Sequence, residues 1–212
     1  MASASSVCGV ILAAGASTRM GRDKALLPWP PLVTGQLPGN STFLSSAIRS
    51  LLPFTELVIV VAGNNEPNLV PVVYSANASL VRNPAPDDGQ FSSLQVGLQE
   101  VLNRGRDAAM VTLVDRPPAI PATLQALTAA FLARPEGIWA VVPEYGGKHG
   151  HPFLIAREMM EAFLKAPLWS NAREIEHQNE QHISYIRVDD SAVTLNVDTP
   201  QDYSTLFQGT RS

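Results

Sequence analysis

The stretch "LAAGASTRMGRDK", Leu12 to Lys24, gathers residue types that bind anions. An apolar run stops at Gly15, the hydroxyls of Ser17 and Thr18 follow, and then come Arg19, Gly21 and Lys24. A strand that runs into a glycine-bearing turn leaves several backbone N–H groups unpaired and facing one way, which makes an anion nest. Gly15 and Gly21 permit the positive φ and close backbone approach that a nest requires. Ser17 and Thr18 add donors, and Arg19 and Lys24 add fixed positive charge. A polyphosphate suits such a loop better than an apolar ligand does. The spacing is not that of a Walker A loop, in which four residues separate the glycines and Lys-Ser/Thr follows directly. Here five residues lie between Gly15 and Gly21, and Lys24 comes three later. Nor does "AAGASTRMG" supply the Gly-x-Gly-x-x-Gly of a dinucleotide fingerprint.

Two aspartates complement the loop. Asp115 in "VTLVDRPP" ends an apolar stretch, where a carboxylate is poorly solvated unless paired or metal-bound. Asp198 in "TLNVDTPQDY" follows another apolar stretch and precedes a helix start. Two carboxylates at strand ends can share one Mg²⁺ with substrate phosphates. Each has an alternative: Asp198 as an N-cap, since Asp-x-x-Gln is close to a capping box, and Asp115 paired with Arg116 or opening a turn before Pro117. His149 and His151 alternate in "GKHGHPF", so period alone puts them on one face of a strand. They lack a third ligand nearby, which favours acceptor contact or a structural role over zinc. His177 and His182 read as solvated, Met159 and Met160 as helix core, and Trp29, Trp139 and Trp169 as packing residues. Trp29 is close enough to the loop to line its mouth.

The elements that must position these groups follow from periodicity. "VCGVIL", "ELVIVVAG" and "AAMVTLVD" are short apolar runs of the kind that form buried strands. "SLVRN" and "HISYIRV" add shorter strands, and "GIWAVVPEYGGKHGHPFLIA" reads as two strands around a Gly146–Gly147 turn. Helical spacing is seen in "NSTFLSSAIRSLL", capped by Asn40 or Ser41, in "GQFSSLQVGLQEVLNRG", in "PATLQALTAAFLARP", in "REMMEAFLKA" and in "NAREIEHQNE". "NLVPVVYSA" reads as a short helix weakened by Pro71, and "DTPQDYSTLFQ" as a short helix entered through Asp198 or Thr199. "PWPPLVTGQLPGNS" is a loop. Strands alternating with helices, and apolar throughout, predict an α/β fold: a mostly parallel sheet with helices on both faces. Ligands of such sheets bind beyond the carboxyl ends of the strands, where the glycine loop and Asp115 both fall. No internal repeat or linker divides residues 1–212, which read as a single domain.

Composition narrows the function classes. Of 212 residues, 45% are hydrophobic and 16% charged, with a formal net charge of -4. That balance gives no general attraction to nucleic acid or anionic membrane, and no run approaches the ~20 apolar residues of a membrane span. The one cysteine, Cys8, reads as a small buried hydrophobe. A reducing cytoplasm is the expected compartment.

With these residues in view, the chain resembles the nucleotidyltransferases of the glycosyltransferase-A-like, nucleotide-diphospho-sugar transferase fold, a three-layer Rossmann-like architecture. "LAAGASTRMGRDK" is similar to their signature. "RNPAPDDGQFSSLQVGL", "LVDRPP", "GKHGHPFLI" and "NVDTPQDY" resemble, in order, the further motifs of MobA-like enzymes, and Ala13-Ala14 resembles the branch that uses CTP on the molybdenum cofactor. The resemblance implies that the backbone of Leu12, Ala13, Ala14 and Gly15, with Ser17, contacts the nucleotide. It implies that Arg19 and Lys24 hold the triphosphate, that Asn83, Gly89, Ser92 and Ser93 recognise base and sugar, and that Asp115 and Asp198 hold Mg²⁺. Lys24, Arg19 and Asp115 would then carry catalysis, with Arg116, His149 and His151 beside the acceptor. The implied reaction transfers CMP from CTP to the terminal phosphate of molybdopterin and releases pyrophosphate, with a molybdoenzyme or its chaperone receiving the product. The chain departs from the family pattern at Arg116, often glutamine, at Asn196, often aspartate, and in the length of the 28–41 stretch. Another phosphorylated acceptor, GTP as donor, or a non-catalytic nucleotide-binding or cofactor-delivery role remain the alternatives.

Overall fold

The apolar runs form strands because burial on both faces leaves no polar side to satisfy. β1 (Val7–Leu12), β2 (Leu57–Ala62) and β4 (Ala108–Leu113) are buried along almost their whole length. They belong to an eight-stranded sheet in a computed structural model that describes residues 6–15, 20–30 and 41–206. β1 is central and parallel to both β2 and β4, with Ile11 opposite Val60 on one side and Thr112 on the other. β3 (Ser79–Arg82) adds in parallel outside β2. β7 (Phe153–Ala156) pairs antiparallel with β4 and with β5 (Ala140–Tyr145). β5 also takes β6 (Lys148–His149) antiparallel and β8 (Ile183–Arg187) parallel. The mostly parallel sheet is therefore interrupted by β7, because the chain reverses at Gly146 (φ 57°) and Gly147 (φ 75°). Two successive positive φ values are what a tight hairpin turn requires.

Helices cover both faces. On one, α1 (Phe43–Leu51), α2 (Glu66–Ser75) and α4 (Pro121–Leu132) contribute Leu44, Ile48, Leu69 and Leu127 to a core with Ile11 and Val60. On the other, α3 (Gln90–Asn103), α5 (Arg157–Lys165) and α6 (Ala172–Gln178) contribute Leu98, Met159, Met160, Phe163 and Ile175 to a core with Val10 and Val61. A short α7 (Pro200–Thr205) follows. Cys8 is fully buried in the second core. α3 comes close to the sheet at Gly97, where a Cβ would stand 2.8 Å from Val10 and 2.9 Å from Val61.

Several local expectations change. The N-cap of α1 is Thr42, whose hydroxyl accepts from the Ser45 amide while the Ser45 hydroxyl accepts from the Thr42 amide. That reciprocal box satisfies two orphan donors at once; the cap is therefore not Ser41, and Asn40 lies outside the described residues. Pro71 is accommodated inside α2. Trp169 is 88% exposed and is not a packing residue. Trp29 does pack, 4.8 Å from Phe43, and Tyr203 stands 6.0 Å from Phe43 and donates to the Pro28 carbonyl. His182 stacks on Trp139 at 3.6 Å. Among the described residues, no helix is long and apolar enough to cross a membrane.

Candidate active site

The site is built where the central strands end. Parallel pairing continues one residue past each strand: the Ala13 amide donates to Val61 and the Val114 amide to Leu12, at 2.9 and 3.0 Å. Ala14 and Gly15 are thereby delivered at the carboxyl edge of the sheet. Lys24 re-enters there in a 3-10 turn, Lys24–Leu26, capped by Asp23, which accepts from the Ala25 amide at 3.0 Å. The Lys24 ammonium donates to Asp115 at 3.3 Å and to Asp198 at 2.8 Å. The two aspartates are 83 positions apart in the chain, yet the Val197 amide donates to the Asp115 carbonyl at 2.9 Å and sets one beside the other.

This geometry decides between the readings left open. Asp198 is not the cap of α7: Thr199 is, in a capping box with Asp202. Asp115 pairs with Lys24, whereas Arg116 donates from Nη1 to the Val193 carbonyl at 3.1 Å. Oδ1 of Asp115 is buried with no hydrogen-bond partner among the described residues. Two carboxylates converging on one cationic position, one of them with an orphaned oxygen, suit a hard divalent cation that takes its other ligands from phosphates and water. No group of three or more His, Cys, Asp or Glu that could hold a metal occurs among the described residues.

A cavity of about 310 Å³ opens over this triad. Leu12, Ala14, Gly15, Lys24, Gly89 and Ser93 all line it. Gly89 (φ 96°) reaches the cavity in a backbone conformation that a side chain would strain. Ala13, Asn83 and Ser92 do not line it. Asn83 is buried and donates to the hydroxyls of Ser92 and Ser93 at 2.9 and 3.0 Å, while its carbonyl oxygen accepts from the Ala85 amide. Ser92 in turn donates back to the Gly89 carbonyl. These two residues hold the turn that carries Gly89 and Ser93. Ser17, Thr18 and Arg19 lie outside the described residues.

Arg116, His149 and His151 meet in another cavity, of about 610 Å³. The His149 ring stacks on Tyr185 at 3.9 Å. Burial, aided by the neighbouring Arg116 charge, pushes the His151 ring down to about 3, so it is a neutral donor-acceptor at ordinary pH. Burial likewise lowers Arg116 from the usual guanidinium range, with Asp115 and Asp198 opposing the shift. Between these two cavities lies a further one of about 460 Å³. It shares Leu12, Gly89, Gln90 and Leu113 with the first, and His151, Phe153, Arg173 and Glu176 with the third. The three form a continuous trough.

The family model of the MobA-like NTP transferase domain matches residues 9–183. The chain belongs to that family. It is a nucleotidyltransferase, and the trough lies where such a sheet binds its ligands. Over 197 residues it is 26% identical to the molybdenum cofactor cytidylyltransferase of Escherichia coli (strain K12), covering 92% of this chain and 93% of that one. It is 30% identical over 149 residues to a probable molybdenum cofactor guanylyltransferase of Mycolicibacterium paratuberculosis (strain ATCC BAA-968 / K-10), covering 70% and 68%. The fold is that of Rv0371c from Mycobacterium tuberculosis H37Rv, crystallised with manganese, at a TM-score of 0.71 and 23% identity over 96% and 98% of the two chains.

Within this MobA-like site, sequence reasoning missed Asn65. Its side chain donates to the Ala13 carbonyl at 2.9 Å and to Asp23 at 2.7 Å, and accepts from the Gly63 amide at 3.0 Å. It ties the two ends of the glycine loop together. Its place just beyond β2, at the same sheet edge as Gly15, was the available signal.

Proposed function

We propose that this chain transfers a nucleotidyl group, CMP from CTP, to the terminal phosphate of molybdopterin. The observation that carries this reading is Lys24 held between Asp115 and Asp198 beneath the cavity at the end of β1. An acceptor phosphate oxygen attacks the α-phosphorus, a new P–O bond forms, and the bond to the bridging oxygen breaks with its electron pair leaving on pyrophosphate. A phosphate monoester is largely ionised at neutral pH, so no general base is required. Positioning and charge neutralisation supply the rate.

Lys24, with Arg19, binds the triphosphate, and the amides around Gly15 orient it. Leu12, Ala14 and Ser93 bound the base and sugar end. Asp115 and Asp198 would hold Mg²⁺ or another divalent ion, which when bound neutralises charge developing on the phosphates. Arg116 neutralises the acceptor phosphate, and the trough keeps the acceptor out of bulk water. CTP as donor is supported by Ala13-Ala14, which resembles the CTP-using branch of the family. The cytidylyltransferase relative matches over nearly the full chain, which supports the same choice.

The test is a label transfer. Incubated with α-³²P-labelled CTP, Mg²⁺ and molybdopterin, the protein should move the label from the triphosphate to the acceptor. Label that remains in CTP would refute the reading.

A further inference from the structure

The trough does not end at the phosphate chemistry. Beyond Arg116 it continues past Phe153 and His151 to α6, where Arg173 and Glu176 line both of the outer cavities. Five buried side-chain polar atoms have no hydrogen-bond partner among the described residues, and three of them belong to this trough: Oδ1 of Asp115, Nε of Arg116 and Nδ1 of His151. Buried polar groups left unpaired are costly, and their clustering marks the path of a polar ligand.

Glu176 has the same character. It is half-buried, and its carboxylate makes no hydrogen bond or ion pair within reach among the described residues. The other acids nearby are engaged: Glu144 with Arg187 at 3.5 Å, and Glu180 with His177 at 3.8 Å. Burial raises the Glu176 carboxyl above the usual carboxylate range, only partly offset by Arg173. Arg116 lines the same outer cavity, yet its guanidinium goes to the Val193 carbonyl. A cation and an acid thus face one space without closing on each other. The ligand that fits has an anionic end for Arg116 and an end rich in N–H donors for Glu176, with a flat body against Phe153.

We infer that Glu176, with Arg173, His151 and Phe153, forms a specificity subsite for a planar heterocycle presenting adjacent N–H donors, an aminopyrimidinone edge of the pterin type. Resting on the nucleotidyl-transfer reading, it identifies what grips the end of the acceptor remote from its phosphate. A carboxylate accepts two parallel N–H bonds from such an edge, and a charged acceptor makes these stronger than neutral ones. Neutral His151 can donate or accept at the ring's other polar atoms. Glu176 repels a phosphate, so the acceptor enters in one orientation only. Glu176 is a binding residue and takes no part in the bond changes.

Pterins are fluorescent, and the phosphate-free 6-hydroxymethylpterin isolates this subsite from the phosphate site. Titrated into the full chain, it should bind the wild type, and Glu176→Gln should weaken it by about 10-fold or more while CTP binding stays unchanged. The unchanged CTP affinity shows that the variant is folded. Absence of pterin binding to wild type, or equal affinity in Glu176→Gln, overturns the subsite. The molybdopterin KM should rise in the same variant with kcat far less affected, and an unchanged KM in an active enzyme overturns the subsite while leaving nucleotidyl transfer standing. Glu176-dependent pterin binding without pyrophosphate release from any nucleotide supports the subsite and refutes the transfer reading instead.

Discussion

Asn65 donates a 2.7 Å hydrogen bond to the carboxylate of Asp23 and a 2.9 Å bond to the Ala13 carbonyl. One side chain therefore spans the entry and exit of the glycine loop, and Asp23 is the residue immediately before Lys24. Asn65→Ala should destabilise the fold by about 1–3 kcal/mol through groups left unpaired. It should also lower kcat/KM for nucleotidyl transfer by about 10-fold or more, because small displacements of positioning groups are costly. A urea titration and a pyrophosphate assay read the two effects. A variant with wild-type turnover would show that Lys24 is positioned by other means.

Lys24 pairs with both Asp115 and Asp198, and in the proposed reaction it would also face the negative charge of the triphosphate. Lys24→Ala should reduce turnover by about 10²–10³. Single-turnover kinetics at saturating nucleotide measure this, and near wild-type rates would remove Lys24 from the reaction.

His151 makes stability depend on pH. Its ring titrates near 6.5 when unfolded and at about 3 in the folded chain, where burial opposes the charge. Between these values the unfolded chain binds a proton that the folded chain refuses. Folding stability from this group is therefore complete above about 6.5 and is lost as pH falls toward 3. Urea midpoints at pH 7 and pH 5 should fall further apart for wild type than for His151→Asn. Equal pH sensitivity in both would contradict a half-buried His151 held neutral by its surroundings.

Gly97 is where α3 meets the sheet, and a Cβ there would stand 2.8 Å from Val10. Gly97→Ala gains helix propensity, but overpacking should dominate and destabilise the protein by about 1–3 kcal/mol. An unchanged melting temperature would mean that the interface yields more readily than its packing indicates.

Much of this was legible in the sequence, for a physical reason. β1, β2 and β4 are apolar because both faces are buried, so their pattern announces both strand and location. Gly146–Gly147 announces its own turn, because few other residues tolerate two positive φ values. Asp115 and Asp198 stand out because a carboxylate ending an apolar run needs a partner. What stayed hidden depends on contacts distant in the chain. Thr199-x-x-Asp202 is a local capping box that names Thr199 as the cap, but that Asp198 stands beside Asp115 depends on the Val197–Asp115 hydrogen bond across the chain. Asn65 and Glu176 sit in polar surroundings that read as ordinary loop and helix surface, and only the sheet brings one to Asp23 and the other to Phe153. Trp169 reads as core by residue type, yet the turn between α5 and α6 leaves it in solvent.

Transfer of CMP to a pterin phosphate in the cleft over Lys24, Asp115 and Asp198 is tested most directly by its by-product. Pyrophosphate release should be measured with Mg²⁺, molybdopterin and each of CTP, GTP, ATP and UTP in turn. Release is expected with CTP and not with the other three. Release with GTP would contradict the base assignment drawn from Ala13-Ala14 and the cytidylyltransferase relative, and release with none would contradict the assigned transfer itself.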